Sequence, residues 1–251
     1  MLKLMKYELR KTWFTKVILL AITAVAEIAF LYGLYAEKEN TMAVSILALT
    51  FLAFGGALVM GLESIITLHR DMNTRQGYML FMTPNSCYKI LGAKVLECGA
   101  SILLAGAFFF ALGALDITLL FGKMGQLNQL WQTIQSFLTS FTFNGRALEI
   151  NMQSLSAFTF ALLTSWISII TTAYLADVIS AALLNGKKHN GIISFLLFLA
   201  LSWVTSKITS AITAPINQFF TALTVDGVIS LVFSAAMYVV TAKIMEEKLS
   251  V

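Results

Sequence analysis

The sequence predicts an all-α polytopic membrane protein with six transmembrane helices, and three observations carry that prediction. The composition is 58% hydrophobic and only 12% charged over 251 residues, against a soluble average of about half apolar and a quarter charged. Mean hydropathy is +0.82, and apolar runs long enough to cross a hydrocarbon core, which takes about 20 helical residues, recur between short polar segments. Basic residues gather in alternate connections, the asymmetry of a chain that threads a bilayer.

Taken in order, residues 1–13 set Leu2, Met5, Leu9 and Trp13 at helical spacing with Lys3, Lys6, Arg10 and Lys11 between them. That pattern predicts a basic amphipathic helix lying on an anionic membrane face. The first span covers residues 17–36. Its end, LYA before Glu37, imitates a signal-peptidase site, but the apolar region of a signal sequence covers about 7 to 15 residues and this run is longer, so no cleavage is expected.

A polar turn, 37–41, leads to the second span, 42–68, in which Gly55, Gly56 and Gly61 permit close helix approach. A polar, basic insertion, 70–94, follows: RDMNTRQGYMLFMTPNSCYKILGAK. The third span is 95–121, the fourth 157–184, the fifth 191–212 after the turn 185–190, and the sixth 225–242 before the tail KIMEEKLSV.

Two outer segments differ from plain loops. Within 122–156, Leu127, Leu130, Trp131, Ile134, Phe137, Leu138 and Phe141 recur at three- and four-residue intervals among uncharged polar residues, which predicts an amphipathic helix on the outer leaflet. The stretch APINQFFTALT, in 213–224, is too short to cross and too apolar for a water-exposed loop. It predicts a re-entrant hairpin dipping into the outer half of the bilayer.

The net charge of +4 and pI near 9.0 are topology signals here, and no nucleic-acid partner is expected. With the N-terminus in the cytoplasm, the inner side holds Lys3, Lys6, Arg10, Lys11, Lys16, Arg70, Arg75, Lys89, Lys94, Lys187, Lys188, Lys243 and Lys248, 13 of the 17 Lys and Arg. Lys38, Lys123 and Arg146 fall outside, with Lys207 in or near the outer end of the fifth span. The excess places both termini and the 70–94 insertion in the cytoplasm, and the expected location is a bacterial plasma membrane. Cys87 and Cys98, one in the insertion and one inside a span, imply no disulfide framework.

Catalytic signatures are missing from the sequence. It contains no G-x-x-x-x-G-K-[ST] phosphate loop, no H-E-x-x-H pair, no G-x-S-x-G elbow and no cysteine–histidine metal cluster. No cofactor and no enzyme activity are therefore expected of this chain. His69 and His189 sit at span ends, and Glu246 and Glu247 lie in the tail beyond the apolar run.

Ionisable residues inside spans are the remaining pointers, because one at the bilayer centre costs about 2.5 to 3.5 kcal/mol on insertion scales. Glu27 lies ten residues past the start of its span, roughly 15 Å deep in a core about 30 Å thick. It either lines a transport path or is a protonated glutamate satisfied by a serine or threonine on a neighbouring helix. Asp177 and Lys207 are the next candidates, as partners of Glu27 or of each other. Glu63, Glu97 and Asp116 lie near span ends, where the ordinary interfacial explanation is preferred.

Within the insertion, Thr83-Pro84 predicts a helix start, since threonine caps free amides and proline suits the first helical position. Residues 85–91 would then make two short turns, with Tyr88 and Ile90 as exposed knobs. This stretch, MLFMTPNSCYKILGAKVLE, resembles the loop before the third span in permease subunits of type-2 ATP-binding cassette transporters. The layout is similar too: an amphipathic N-terminal helix, six spans, this loop between spans two and three, and a hairpin before span six.

The resemblance implies a permease half that pairs with a second permease half, as homodimer or heterodimer, and binds two separate ATP-binding cassette ATPase subunits. It makes 83–89 the cytoplasmic coupling helix, with Arg75, Thr83, Pro84, Asn85, Ser86, Tyr88 and Lys89 as ATPase contacts, and 1–13 the connecting helix. The implied work is ATP-driven export of an amphiphilic cargo, a peptide, lipid or drug. The upstream part, RDMNTRQGYM, matches that family only in Arg70-Asp71 and Gly77. The residues themselves leave a second reading open, a self-sufficient ion-coupled secondary transporter or channel using Glu27, Asp177 and Lys207.

Overall fold

The computed structural model describes residues 2–73, 86–126, 128, 129, 131, 132, 135, 142, 143, 146, 147, 152–184, 190–216 and 218–248. Among them are seven helices: α1 (Leu2–Lys11), α2 (Trp13–Tyr35), α3 (Glu39–Asn73), α4 (Cys87–Lys123), α5 (Met152–Leu184), α6 (Asn190–Thr213) and α7 (Phe219–Lys248). A two-residue antiparallel ladder, β1 (Thr142–Phe143) with β2 (Arg146–Ala147), lies between α4 and α5. The six helices after α1 are each long and apolar enough to cross a membrane.

The helices outrun the apolar runs that announce them. At about 1.5 Å per residue the 37 residues of α4 extend well past a core about 30 Å thick. One consequence corrects the sequence reading: Cys87 to Leu91 are the first turn of the span-three helix, not a separate short helix ahead of it. Ile90, expected as an exposed knob, is 2% exposed. An apolar side chain there finds neighbours because the helix runs unbroken into the packed span.

The region 213–224 is divided between two helix ends. α6 ends at Thr213 and α7 begins at Phe219, with Ala214 N–H donating to Ser210 and Ala222 N–H to Gln218. The Phe219–Thr224 stretch is thus the opening of α7, and its apolar residues belong to that helix. In 122–156 the described residues 128, 129, 131, 132 and 135 are helical, and the ladder follows beyond the Leu127–Phe141 pattern.

Two chain reversals have clear local causes. Between α2 and α3, Lys38 N–H reaches back to Gly33 O at 3.0 Å, with Glu37 in the left-handed region at φ 56°. A Cβ on Gly33 would sit 2.7 Å from Met42 N, so only glycine lets α3 start this close to the last turn of α2. After α4, Gly125 takes φ 68° and Gln126 N–H donates to Phe121 O at 3.0 Å, the glycine-closed helix end.

The chain divides into two compact units. The first comprises Met1–Arg10, Gly61–Gly99 and Ser156–Val251 and is built on α5. Ala157, Ala161, Ala173, Ala176 and Ala181 are buried there with Ser180, Thr171 and Thr172, small side chains that let helix backbones approach closely. Tyr174, fully buried, shares a hydrogen bond with Ser64 of α3, and Thr172 donates to Met237 Sδ of α7 at 3.0 Å. The second unit comprises Lys11–Met60 and Ala100–Leu155. Its core is Phe30, Leu34 and Leu49, flanked by Ala26, Leu31, Met42, Leu112 and Leu120.

Candidate functional site

Three polar clusters break the apolar interior. The first begins on α1, whose Lys3, Lys6 and Arg10 are exposed while Glu8, on the other face, is 5% exposed. Glu8 meets Lys94 of α4, whose Nζ donates to Glu8 Oε2 at 2.9 Å and to Asp71 Oδ2 of α3 at 2.7 Å. Lys94 itself is 2% exposed. Buried charges persist when they are paired and hydrogen-bonded, and this cation ties α1 to the end of α3 and the start of α4. Those two helix ends form the two limits of the 70–94 insertion.

Next to it on α3, His69 Nδ1 lies 2.6 Å from Asp177 Oδ1 of α5. The Asp177 side chain is almost fully buried, the histidine only partly so. The pair continues the seam of Ser64 and Tyr174, so α3 and α5 are joined by polar contacts at successive turns.

The second unit holds the third cluster. The carboxyls of Glu27 on α2 and Asp116 on α4 are within hydrogen-bonding reach of each other. Glu27 Oε2 and Asp116 Oδ1 are buried and receive no donor from the chain. Two carboxylates offer only acceptors, so a bond between them exists only with a proton in it. Asp116 also forms part of the wall of a cavity of about 300 Å³, lined, Thr50 apart, by apolar residues such as Phe30, Leu49, Phe109, Leu112 and Leu120. Nearer the α2–α3 reversal, Lys123 donates to Leu34 O and stands 3.6 Å from Glu37.

Glu27 pairs with Asp116, not with a serine or threonine; Asp177 pairs with His69, not with Lys207. Lys207 is exposed on α6 and stands 5.9 Å from the centre of the Trp203 ring one turn earlier. Of the coupling residues, Ser86 and Lys89 are exposed. Tyr88 is half-buried: Tyr238 of α7 donates to its carbonyl at 2.6 Å, and the two rings meet edge-on at 6.3 Å. Arg75, Thr83, Pro84 and Asn85 lie outside the described residues.

The sequence reading missed Glu8, Asp71 and Lys94 as a unit because basic residues were weighed for topology alone. Asp116 was legible by depth: it lies seven residues before the end of α4 and Glu27 eight before the end of α2, positions at matching height if both helices leave the membrane on one side. Among the described residues no group of three or more His, Cys, Asp or Glu could hold a metal ion.

Fold and clusters together define a class, the multi-pass α-helical membrane protein. The chain matches no protein-family model, no curated protein and no solved structure.

Proposed function

We propose that the chain is the membrane-spanning permease subunit of an ATP-driven exporter, working with a second permease half and two separate ATPase subunits in a plasma membrane, both termini cytoplasmic. The observation that carries this reading is the buried Lys94 cluster. A push on the 70–94 insertion reaches α3 and α4 at once, and Glu8 passes it to α1, since one cation holds all three. Tyr88 hands the same push to α7 through Tyr238. Such a mechanically joined, polar insertion is what an external motor needs, and the sequence offers no phosphate-binding loop of its own.

The test is purification from native membranes followed by charge changes on the insertion. Nucleotide-binding subunits should copurify, the isolated chain should hydrolyse no ATP, and Ser86→Asp with Lys89→Glu should cut ATP-driven export about tenfold or more while leaving membrane levels unchanged. The size corresponds to losing roughly 1.4 kcal/mol of coupling. Export that survives those changes, or a chain that purifies without any ATPase, would sink the reading.

One observation favours a second reading. The proton-sharing carboxyls Glu27 and Asp116 suit a self-sufficient ion-coupled transporter, because intramembrane carboxyls recur in proton relays. Proton-driven flux in vesicles containing only this protein would decide for it.

A further inference from the structure

From the Glu27–Asp116 pair and the cavity beside it, we infer a binding site for an amphiphile bearing one amine, its ammonium on the carboxyl pair and its apolar body in the cavity. The charge arithmetic selects the ligand. Two carboxyls sharing one proton carry one negative charge in an apolar setting, and a buried charge is tolerated when a partner of opposite sign reaches it. Glu27 and Asp116 have no basic partner among the described residues, and the oxygens Glu27 Oε2 and Asp116 Oδ1 are buried without a donor from the chain. An ammonium supplies the missing charge, and its N–H groups suit the carboxyl oxygens that the shared proton leaves unused.

The cavity fixes the rest of the molecule. Its volume of about 300 Å³ falls at the small end of ligand pockets, about 300 to 1,000 Å³. Apart from Asp116 and Thr50 its wall is apolar, from Phe30 and Ile46 to Phe109 and Ile117. A hydrated metal ion would find one carboxylate and hydrocarbon there, not the six or more oxygens a hard cation takes. An alkyl or aryl body fits such a wall, since its burial removes apolar surface from water. A second cavity, of about 530 Å³ and bordered by Glu37, Glu39 and Lys123, lies on the other side of Leu120, which lines both.

This site narrows the amphiphilic cargo of the proposed function, and it rests on that reading only for the step of export. Binding is therefore measured without ATP or partner subunits, so its failure and the failure of ATPase coupling are told apart. The probes are radiolabelled dodecylamine and, as the uncharged control, dodecanol, added to the full-length protein in phosphatidylcholine nanodiscs. Dodecylamine should bind saturably at one site per chain and dodecanol much more weakly. Asp116→Asn and Glu27→Gln should each weaken dodecylamine about ten- to a hundredfold, the worth of a hydrogen bond to a charged group. Asp226→Asn, an acid on α7, should leave it unchanged.

A second measurement needs no variant. Dicyclohexylcarbodiimide adds a protonated carboxyl across its C=N bond; it should modify Glu27 or Asp116 in the wild-type protein, and saturating dodecylamine should slow that modification about tenfold. Equal binding of the amine and the alcohol, or modification at an unchanged rate with amine present, would overturn the site and leave only a groove filled by lipid chains.

Discussion

Lys94 is a cation with two carboxylates and almost no water, 2% exposed between Glu8 and Asp71. Removing one member of such a group leaves the rest buried and unpaired, which costs about 3 to 5 kcal/mol. Lys94→Met should therefore destabilise the protein by that amount in a detergent-unfolding titration. Adding Glu8→Gln and Asp71→Asn to Lys94→Met should restore a large part of the loss, because the stranded charges go with the cation. If the triple variant is no better than Lys94→Met, the cost lies in packing and not in charge.

The same residue shows what sequence conveys and what it withholds. That Lys94 is basic and near a span end was legible, and so was the depth of Glu27. Which carboxylates answer them was not, because pairing depends on the rotation of each helix about its axis, and apolar spans with weak amphipathicity leave that rotation undetermined. Asp177 and His69 make the point again: both positions were noted, yet their meeting across α3 and α5 needed coordinates.

At the scale of elements, hydropathy located all six spans but not their ends. A helix that leaves the hydrocarbon keeps its backbone hydrogen bonds while its composition turns polar, so α4 starts at Cys87 where the apolar run starts at Val95. Phe219–Thr224 repeats this at the other end of the chain, since α7 begins at Phe219 where the apolar run of span six starts at Val225. Close approach was partly legible. Gly56 does meet Leu19, whereas a Cβ on Gly55 would meet nothing within 4 Å, and the close contact with backbone, Gly33 against Met42, sits in a turn that the glycine count in span two did not reach. Gly33→Leu should abolish the monodisperse peak in fluorescence-detected size-exclusion chromatography, while Gly106→Leu, whose Cβ meets nothing within 4 Å, should leave it intact. Similar profiles for the two would refute the close-packed reversal.

For the whole molecule, the proposed topology yields a labelling pattern. Cys87 and Cys98 are buried at 6% and 1% exposure, so the native chain offers a quiet background to a membrane-impermeant maleimide. On intact cells Lys38→Cys should label and Lys188→Cys should not; after permeabilisation both should. Labelling of position 188 from outside would reverse the orientation and remove the 70–94 insertion from the compartment where ATP is found.

Biosynthesis meets the spans one at a time, before their neighbours exist, and here the burial of α5 matters. Its span has the lowest mean hydropathy of the six, 1.6 against 2.3 for α2, and 61% of it is buried in the finished fold. Serines, threonines and Asp177 that suit a protein interior are poor currency with a translocon that partitions each segment against lipid, where an aspartate near the centre costs about 2.5 to 3.5 kcal/mol. Fused alone into a glycosylation reporter, α2 should integrate in most molecules and α5 in a minority, with Asp177→Leu raising α5 towards α2. Equal integration of the two would show that α5 needs no help; the predicted deficit means that the span at the heart of the first unit enters the membrane on the strength of helices already waiting for it.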